Sequence, residues 1–194
     1  MGKNRLEAFC DGVLAIIITI MVLEMKVPHG ADWVTLQTLA PVFFSYILSF
    51  IYVGIYWNNH HHLLHAVKHV SGGVLWANLH LLFWLSLFPF VTGWMGENHF
   101  APLPTALYGG CLLMAGAAYW ILVHCIITAE GKDSLVAKAV GKDIKGVISV
   151  VVYAAAIPLA FVNIGFALVG YIAVALMWLI PDKRIEKTLS ENTH

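Results

Sequence analysis

The sequence predicts an all-α membrane protein of six transmembrane helices, and three observations predict it. Hydrophobic residues make up 60% of the 194 positions and charged residues only 11%. The mean hydropathy is +0.79. Apolar runs long enough to cross about 30 Å of hydrocarbon recur along the chain. Once those runs are removed no domain-sized soluble stretch remains, so a single membrane domain is expected over 1–194. The formal charge is zero and the pI is near 7.1, a balance that offers nucleic acid no basic surface.

In chain order the runs are 5–27, 36–58, 72–95, 104–128, 146–162 and 164–181. The first follows Lys3 and Arg5 as a signal peptide would. It lacks Ala-x-Ala cleavage chemistry and carries Glu24 and Lys26 at its far end, so a retained helix is expected. The fifth and sixth are separated by little more than Asn163, and Pro158 sits inside the fifth; a tight re-entrant pair is the competing arrangement for this segment. Cys10, Cys111 and Cys125 have no metal-ligand spacing, and no disulfide framework is expected.

Basic residues set the orientation. With the N-terminus inside, Lys3, Arg5, Lys68, Lys132, Lys138, Lys142, Lys145, Lys183, Arg184 and Lys187 all lie on the cytoplasmic side, and only Lys26 lies outside. An odd number of spans would put one terminal cluster on the wrong face. Both termini are therefore expected in the cytoplasm, with 130–145 as a cytoplasmic connection, partly helical.

The first run carries the clearest functional signal, because it joins charged residues to a membrane span. At about 100° per residue, Arg5, Phe9, Gly12, Ile16, Ile20, Leu23 and Val27 fall within about 40° of one line, with Thr19 about 60° to one side. Asp11 points about 140° away from that stripe and Glu24 about 80° off it. A carboxylate facing other protein in a low dielectric needs a partner, expected in the second or third helix. The stripe itself has two readings: a face against lipid or a neighbouring helix, or stacked apolar rings around an axis shared by several copies. With so few polar residues inside the six runs, a pore between subunits is the better fit to an ion pathway.

These residues carry a family resemblance. Arg5-x-x-x-Phe9-Cys10-Asp11-Gly12-Val13, followed by Ala15-Ile16 and Val22-Leu23-Glu24, resembles the opening of the transmembrane-protein-175 potassium channels. Tyr56-Trp57-Asn58-Asn59-His60-His61 is similar to that family's Trp-x-x-His-His element, and Trp76-x-Asn78-Leu79 through Phe88-Pro89-Phe90 resembles its third helix. Cys10 stands where the family usually has serine; a thiol is of similar size but a weaker hydrogen-bond donor.

The resemblance implies a prokaryotic single-repeat channel in the cell membrane, assembled as a homotetramer with the first helices lining the pore. It implies a constriction at Ile16, with further apolar rings at Ile20 and Leu23, and a hydroxyl layer at Thr19 tied to potassium preference. It also implies an inner-mouth network of Arg5, Phe9, Asp11, Trp57, His60 and His61. The implied cargo is K+ and other monovalent cations, with no enzyme activity and no cofactor. A bare ion in an isoleucine ring would lose hydration at a cost on the order of tens of kcal/mol. Conduction then requires water to accompany the ion, and the ring gates by dewetting. Four copies of Glu24, with Asp32 nearby, would draw cations to the outer mouth.

Other motifs are weaker. Val169-Gly170-Tyr171 looks like part of a carbonyl-lined potassium filter, but Ile172 replaces the second glycine and a continuous apolar helix offers no free carbonyls. His60, His61, His62, His65 and His69 cluster near the end of the second run, where imidazoles titrating near neutral pH would make gating proton-sensitive. His61 and His65 share a helical face that could bind zinc or copper, but no second cluster closes a coordination sphere. With His80 and His124, these histidines supply the alternative function, a membrane redox or metal protein. A secondary transporter would need charged groups at mid-membrane, which are lacking.

Overall fold

The computed structural model describes residues 2–67, 70–131, 134–140 and 143–179. Among the described residues all regular structure is helical: α1 (Lys3–Leu23), α2 (Trp33–Thr38), α3 (Ala40–His65), α4 (Gly72–Ser86), α5 (Phe88–Glu97), α6 (Pro102–Glu130), α7 (Leu135–Val140), α8 (Ile144–Val162) and α9 (Ile164–Leu179). Local chemistry sets the boundaries. Asp32 caps α2 by accepting the Thr35 amide at 2.7 Å, and Ser71 caps α4 through the Val74 amide at 3.3 Å. Asp143 caps α8 through the Gly146 amide at 2.8 Å. Prolines sit in the first turns of α3, α5 and α6, where their missing N–H costs nothing.

Five segments are long and apolar enough to cross a membrane: Lys3–Leu23, Ala40–His65, Gly72–Glu97, Pro102–Glu130 and Ile144–Val162. The third combines α4 and α5, which break at Leu87 because Pro89 cannot continue the amide ladder. The Trp84 carbonyl there accepts instead from the Leu87 amide and the Cys111 thiol, each at 3.3 Å. The second segment differs from its expected bounds. It starts after the separate short α2 and runs two turns past residue 58, so His60, His61, His62 and His65 lie within it.

α9 is a 16-residue apolar helix, about 24 Å at 1.5 Å per residue. It folds back on α8 after Asn163 alone: Trp178 Nε1 donates to Ser149 Oγ at 2.9 Å, and Gly170 lies against Val152 and Ala156. The expected end of this helix at 181 lies outside the described residues, as do Lys68, His69, Lys132, Lys142, Lys183, Arg184 and Lys187.

α6 is the central helix, packed against α4, α5, α8 and α9, while α1 packs on α3, α4 and α5. Hydroxyls tie the bundle inside its apolar core, where an unpaired polar group would be costly. Ser49 Oγ lies 2.6 Å from Thr92 Oγ1 and donates to the Tyr108 hydroxyl at 3.0 Å. The Tyr52 hydroxyl donates to the Tyr171 carbonyl at 2.6 Å. Tyr171 also explains Gly109, since a Cβ at that position would fall on the Tyr171 hydroxyl. The Val169-Gly170-Tyr171 segment is thus ordinary packed helix.

Candidate functional site

α1 has two faces of opposite character. Leu6, Cys10, Leu14, Ile17 and Met21 recur at helical spacing and are buried against the other helices. On the other side Phe9, Ile16, Ile20 and Leu23 are 48%, 59%, 41% and 74% exposed, although they are among the most apolar residues in the chain. The residues that the 100° period aligns therefore lie within the part of α1 that the bundle leaves uncovered, which also includes Ala8, Asp11, Ala15 and Val22. Thr19 is exposed beside them, and its hydroxyl donates to the Ala15 carbonyl at 2.7 Å. With its proton committed to the helix, that oxygen presents only lone pairs outward, which suits a cation.

The N-terminal half of α1 is anchored by a ladder. Lys3 Nζ donates to the His65 carbonyl at 2.6 Å, Glu7 Oε1 meets His61 Nδ1 at 2.9 Å, and Asp11 Oδ1 accepts from Trp57 Nε1 at 2.9 Å. Steps of four up α1 match steps of four down α3. This is what two antiparallel helices produce when each presents one residue per turn to the other. The His61 ring stacks between Trp57, 6.1 Å away, and His65, 6.0 Å away.

Beneath the ladder lies a buried group. Asn78 of α4 is fully buried; its Oδ1 lies 2.7 Å from His60 Nε2, and its Nδ2 donates to Cys10 Sγ at 3.2 Å. The thiol at position 10 thus takes part in a polar contact, accepting from Asn78 Nδ2 and lying 3.6 Å from Asn78 Oδ1 as donor. Arg5 is exposed and its guanidinium stands apart from this network, with no hydrogen-bond or ion-pair partner among the described residues. Asp11, Trp57, His60 and His61 are brought together at this end, and Phe9 lies on the exposed face. Glu7 is not singled out by the sequence, and Asn78 figures there only as part of the third-helix motif, yet they supply the polar partners of His61 and His60. Glu7 could have been found: it lies one turn from both Lys3 and Asp11, on the face opposite the stripe.

At the other end of α1, Glu24 is the exposed C-terminal cap. Lys26 Nζ pairs with Glu97 Oε1 at 2.8 Å, and that carboxylate raises the lysine pKa above its ordinary value. Asp32 is held below the usual carboxylate range by the Thr35 amide it caps. His80 Nε2 accepts from Trp84 Nε1 at 3.0 Å, and His124 Nδ1 lies 2.8 Å from the Trp120 carbonyl, so each is engaged by its own helix. Among the described residues no group of three or more His, Cys, Asp or Glu side chains converges as a metal site would.

Residues 5–89 match the family model described as the endosomal/lysosomal potassium channel TMEM175. The chain is 58% identical over 192 residues to a potassium channel of Chryseobacterium sp. (strain P1-3), covering 99% of this chain and 100% of that one. It is 33% identical over 129 residues to a potassium channel of Streptomyces collinus, covering 61% of this chain and 63% of that one. In structure it resembles the crystallised lysosomal potassium-selective channel TMEM175 homolog from Chamaesiphon minutus, with a TM-score of 0.79 and 25% identity, covering 93% of this chain and 97% of the other.

Proposed function

The chain belongs to the TMEM175 potassium channel family, and on that premise we propose that it conducts K+ passively through a pore formed where the α1 helices of four copies meet. The observation that carries this reading is the uncovered apolar stripe of Phe9, Ile16, Ile20 and Leu23 on a helix whose Leu6, Cys10, Leu14, Ile17 and Met21 are packed against the bundle. In this arrangement Ile16, Ile20 and Leu23 form successive rings, and Ile16 is the constriction.

A narrow isoleucine ring excludes water before it excludes ions, so the closed state is a dewetted gap and opening requires the α1 helices to shift or rotate. Ions then pass with part of their hydration shell. Thr19 oxygens next to the rings replace some of the lost water, which gives K+ its modest advantage over more tightly hydrated ions. The ladder to α3 and the Cys10–Asn78–His60 group hold the N-terminal end of α1 in register at the inner mouth. Glu24 concentrates cations at the outer mouth. Six spans, both termini in the cytoplasm and a cell-membrane location complete the proposal.

The test is the reversal potential of the reconstituted protein as K+ is replaced by Na+, Cs+ or a large organic cation. A reversal potential that follows the K+ gradient and shifts modestly with Na+ or Cs+ is expected. Liposomes with no protein-dependent flux would refute the proposal.

A further inference from the structure

A groove of about 350 Å³ opens between α3 and the paired α6 and α8, away from the face of α3 that holds α1. It exists because small residues meet there: Gly116 and Ala117 of α6 form the floor, and at the far wall α8 begins with valines that are exposed, Val147 by 64%. Tyr56 of α3 and Trp178 of α9 close the sides. The lining is apolar along most of its length and polar at one end, where Asp143 is the sole charged lining residue among those described. Lys145 extends its ammonium over the Trp178 ring, 5.6 Å from the centroid, at the same end.

We propose that this groove binds one acyl chain of a zwitterionic, amine-headed phospholipid from the leaflet at the Asp143 end, with the lipid ammonium at Asp143. The apolar walls suit a hydrocarbon chain, and aromatic faces next to a carboxylate suit an ammonium. The Asp143 carboxylate complements the ammonium of such a head group; an anionic head without an amine would meet Asp143 as a like charge. Binding as such does not depend on the channel reading. Its consequence for gating does: Tyr56 and Asn59 line the groove, while Trp57 and His61 on the same two turns hold α1. A chain in the groove therefore sets how α3 stands and how firmly it grips the pore helix.

Native mass spectrometry of the detergent-solubilised full chain tests the site, with dioleoylphosphatidylethanolamine titrated against dioleoylphosphatidylglycerol. Preferential retention of the ethanolamine lipid is expected. Gly116→Leu fills the floor; a Cβ there meets nothing nearer than the Tyr56 hydroxyl at 3.9 Å, so the backbone tolerates it. It is expected to weaken lipid retention about tenfold, the burial of roughly two methylenes. Asp143→Asn keeps the helix cap, since asparagine caps as well as aspartate. It is expected to weaken the ethanolamine lipid about threefold and to strengthen the glycerol lipid by relieving the like charge. Excess free ethanolamine is expected to leave the adduct in place. Equal retention of the two lipids, wild-type behaviour of both variants, displacement by free ethanolamine, or disulfide capture of a second copy through Val151→Cys would each overturn the assignment. Loss of K+ flux with lipid binding intact would instead count against the channel reading alone.

Discussion

The two halves of α1 are held by different physics. From Lys3 to Asp11 the helix is fixed by directional bonds: three rungs to α3 and, through Cys10, the buried amide of Asn78. From Leu14 to Met21 it is held by Leu14, Ile17 and Met21 packed against its neighbours. Beyond that, Lys26 and Glu97 form an exposed pair. Directional bonds fix register and rotation together, because each loses most of its strength once misaligned. Apolar contacts tolerate a small rotation at little cost. In the proposed channel this difference gives the two halves different tasks, an anchor at the N-terminal end and a movable gate over Ile16, Ile20 and Leu23.

Breaking the gate gives the largest expected effect. Ile16→Ala widens the tightest apolar ring, and single-channel current in a bilayer is expected to rise about tenfold with weaker ion discrimination, a barrier change of only ~1.4 kcal/mol. An unchanged current would mean that the movable half is not the constriction. Next comes the buried end of the anchor. Asn78→Leu orphans His60 Nε2 and the Cys10 thiol, and a loss of about 2 kcal/mol is expected in the denaturation of the detergent-solubilised protein. The double variant Asn78→Leu with His60→Leu is expected to recover part of that loss, because the orphaned imidazole is then gone.

A finer probe is Trp57→Phe, which keeps an aromatic ring and deletes the donor to Asp11. The expected cost is about 1 kcal/mol, with a change in open probability rather than in open-channel current. Reduced unitary conductance in this variant would blur the division between anchor and gate. Thr19→Val removes the lone pairs beside the rings at constant size. A smaller K+ over Na+ preference in reversal-potential measurements, with stability unchanged, is expected. Lys26→Met marks the bottom of the scale: an exposed, screened pair should leave both current and unfolding where they are.

Much of this division can be read from the chain itself, but unevenly. The stripe on α1 follows from helical period, since a residue's angle depends on its number alone. Five of the six apolar runs likewise mark membrane-length helices, while the sixth marks the shorter α9. The second of these reads two turns short because Asn58, Asn59 and His60 to His62 lower its hydropathy, yet the helix continues: Asn59 donates to its own Ile55 carbonyl, His60 meets Asn78 of α4 and His61 meets Glu7 of α1. The break at Leu87 needs Pro89 to be weighed inside a run that is otherwise uniformly apolar. The rungs are harder. Asp11 visibly needs a partner, but whether it meets Trp57, and whether Glu7 meets His61, depends on the axial offset between two helices, which hydrophobic periodicity does not encode. Asn78 is a lone amide in an apolar helix, and its role emerges once the burial of α4 brings Cys10 and His60 within reach.

The most direct measurement is made on Ile16→Cys in a Cys10→Ser, Cys111→Ala, Cys125→Ser background. A small thiol-reactive cation is applied to the reconstituted channel while K+ current is recorded, and the protein is then weighed to verify that the thiol has reacted. If the stripe lines the pore, labelling at Ile16→Cys abolishes the current while labelling at Phe50→Cys, on the exposed face of α3, leaves it intact. A fully labelled Ile16→Cys protein that conducts as before would contradict it.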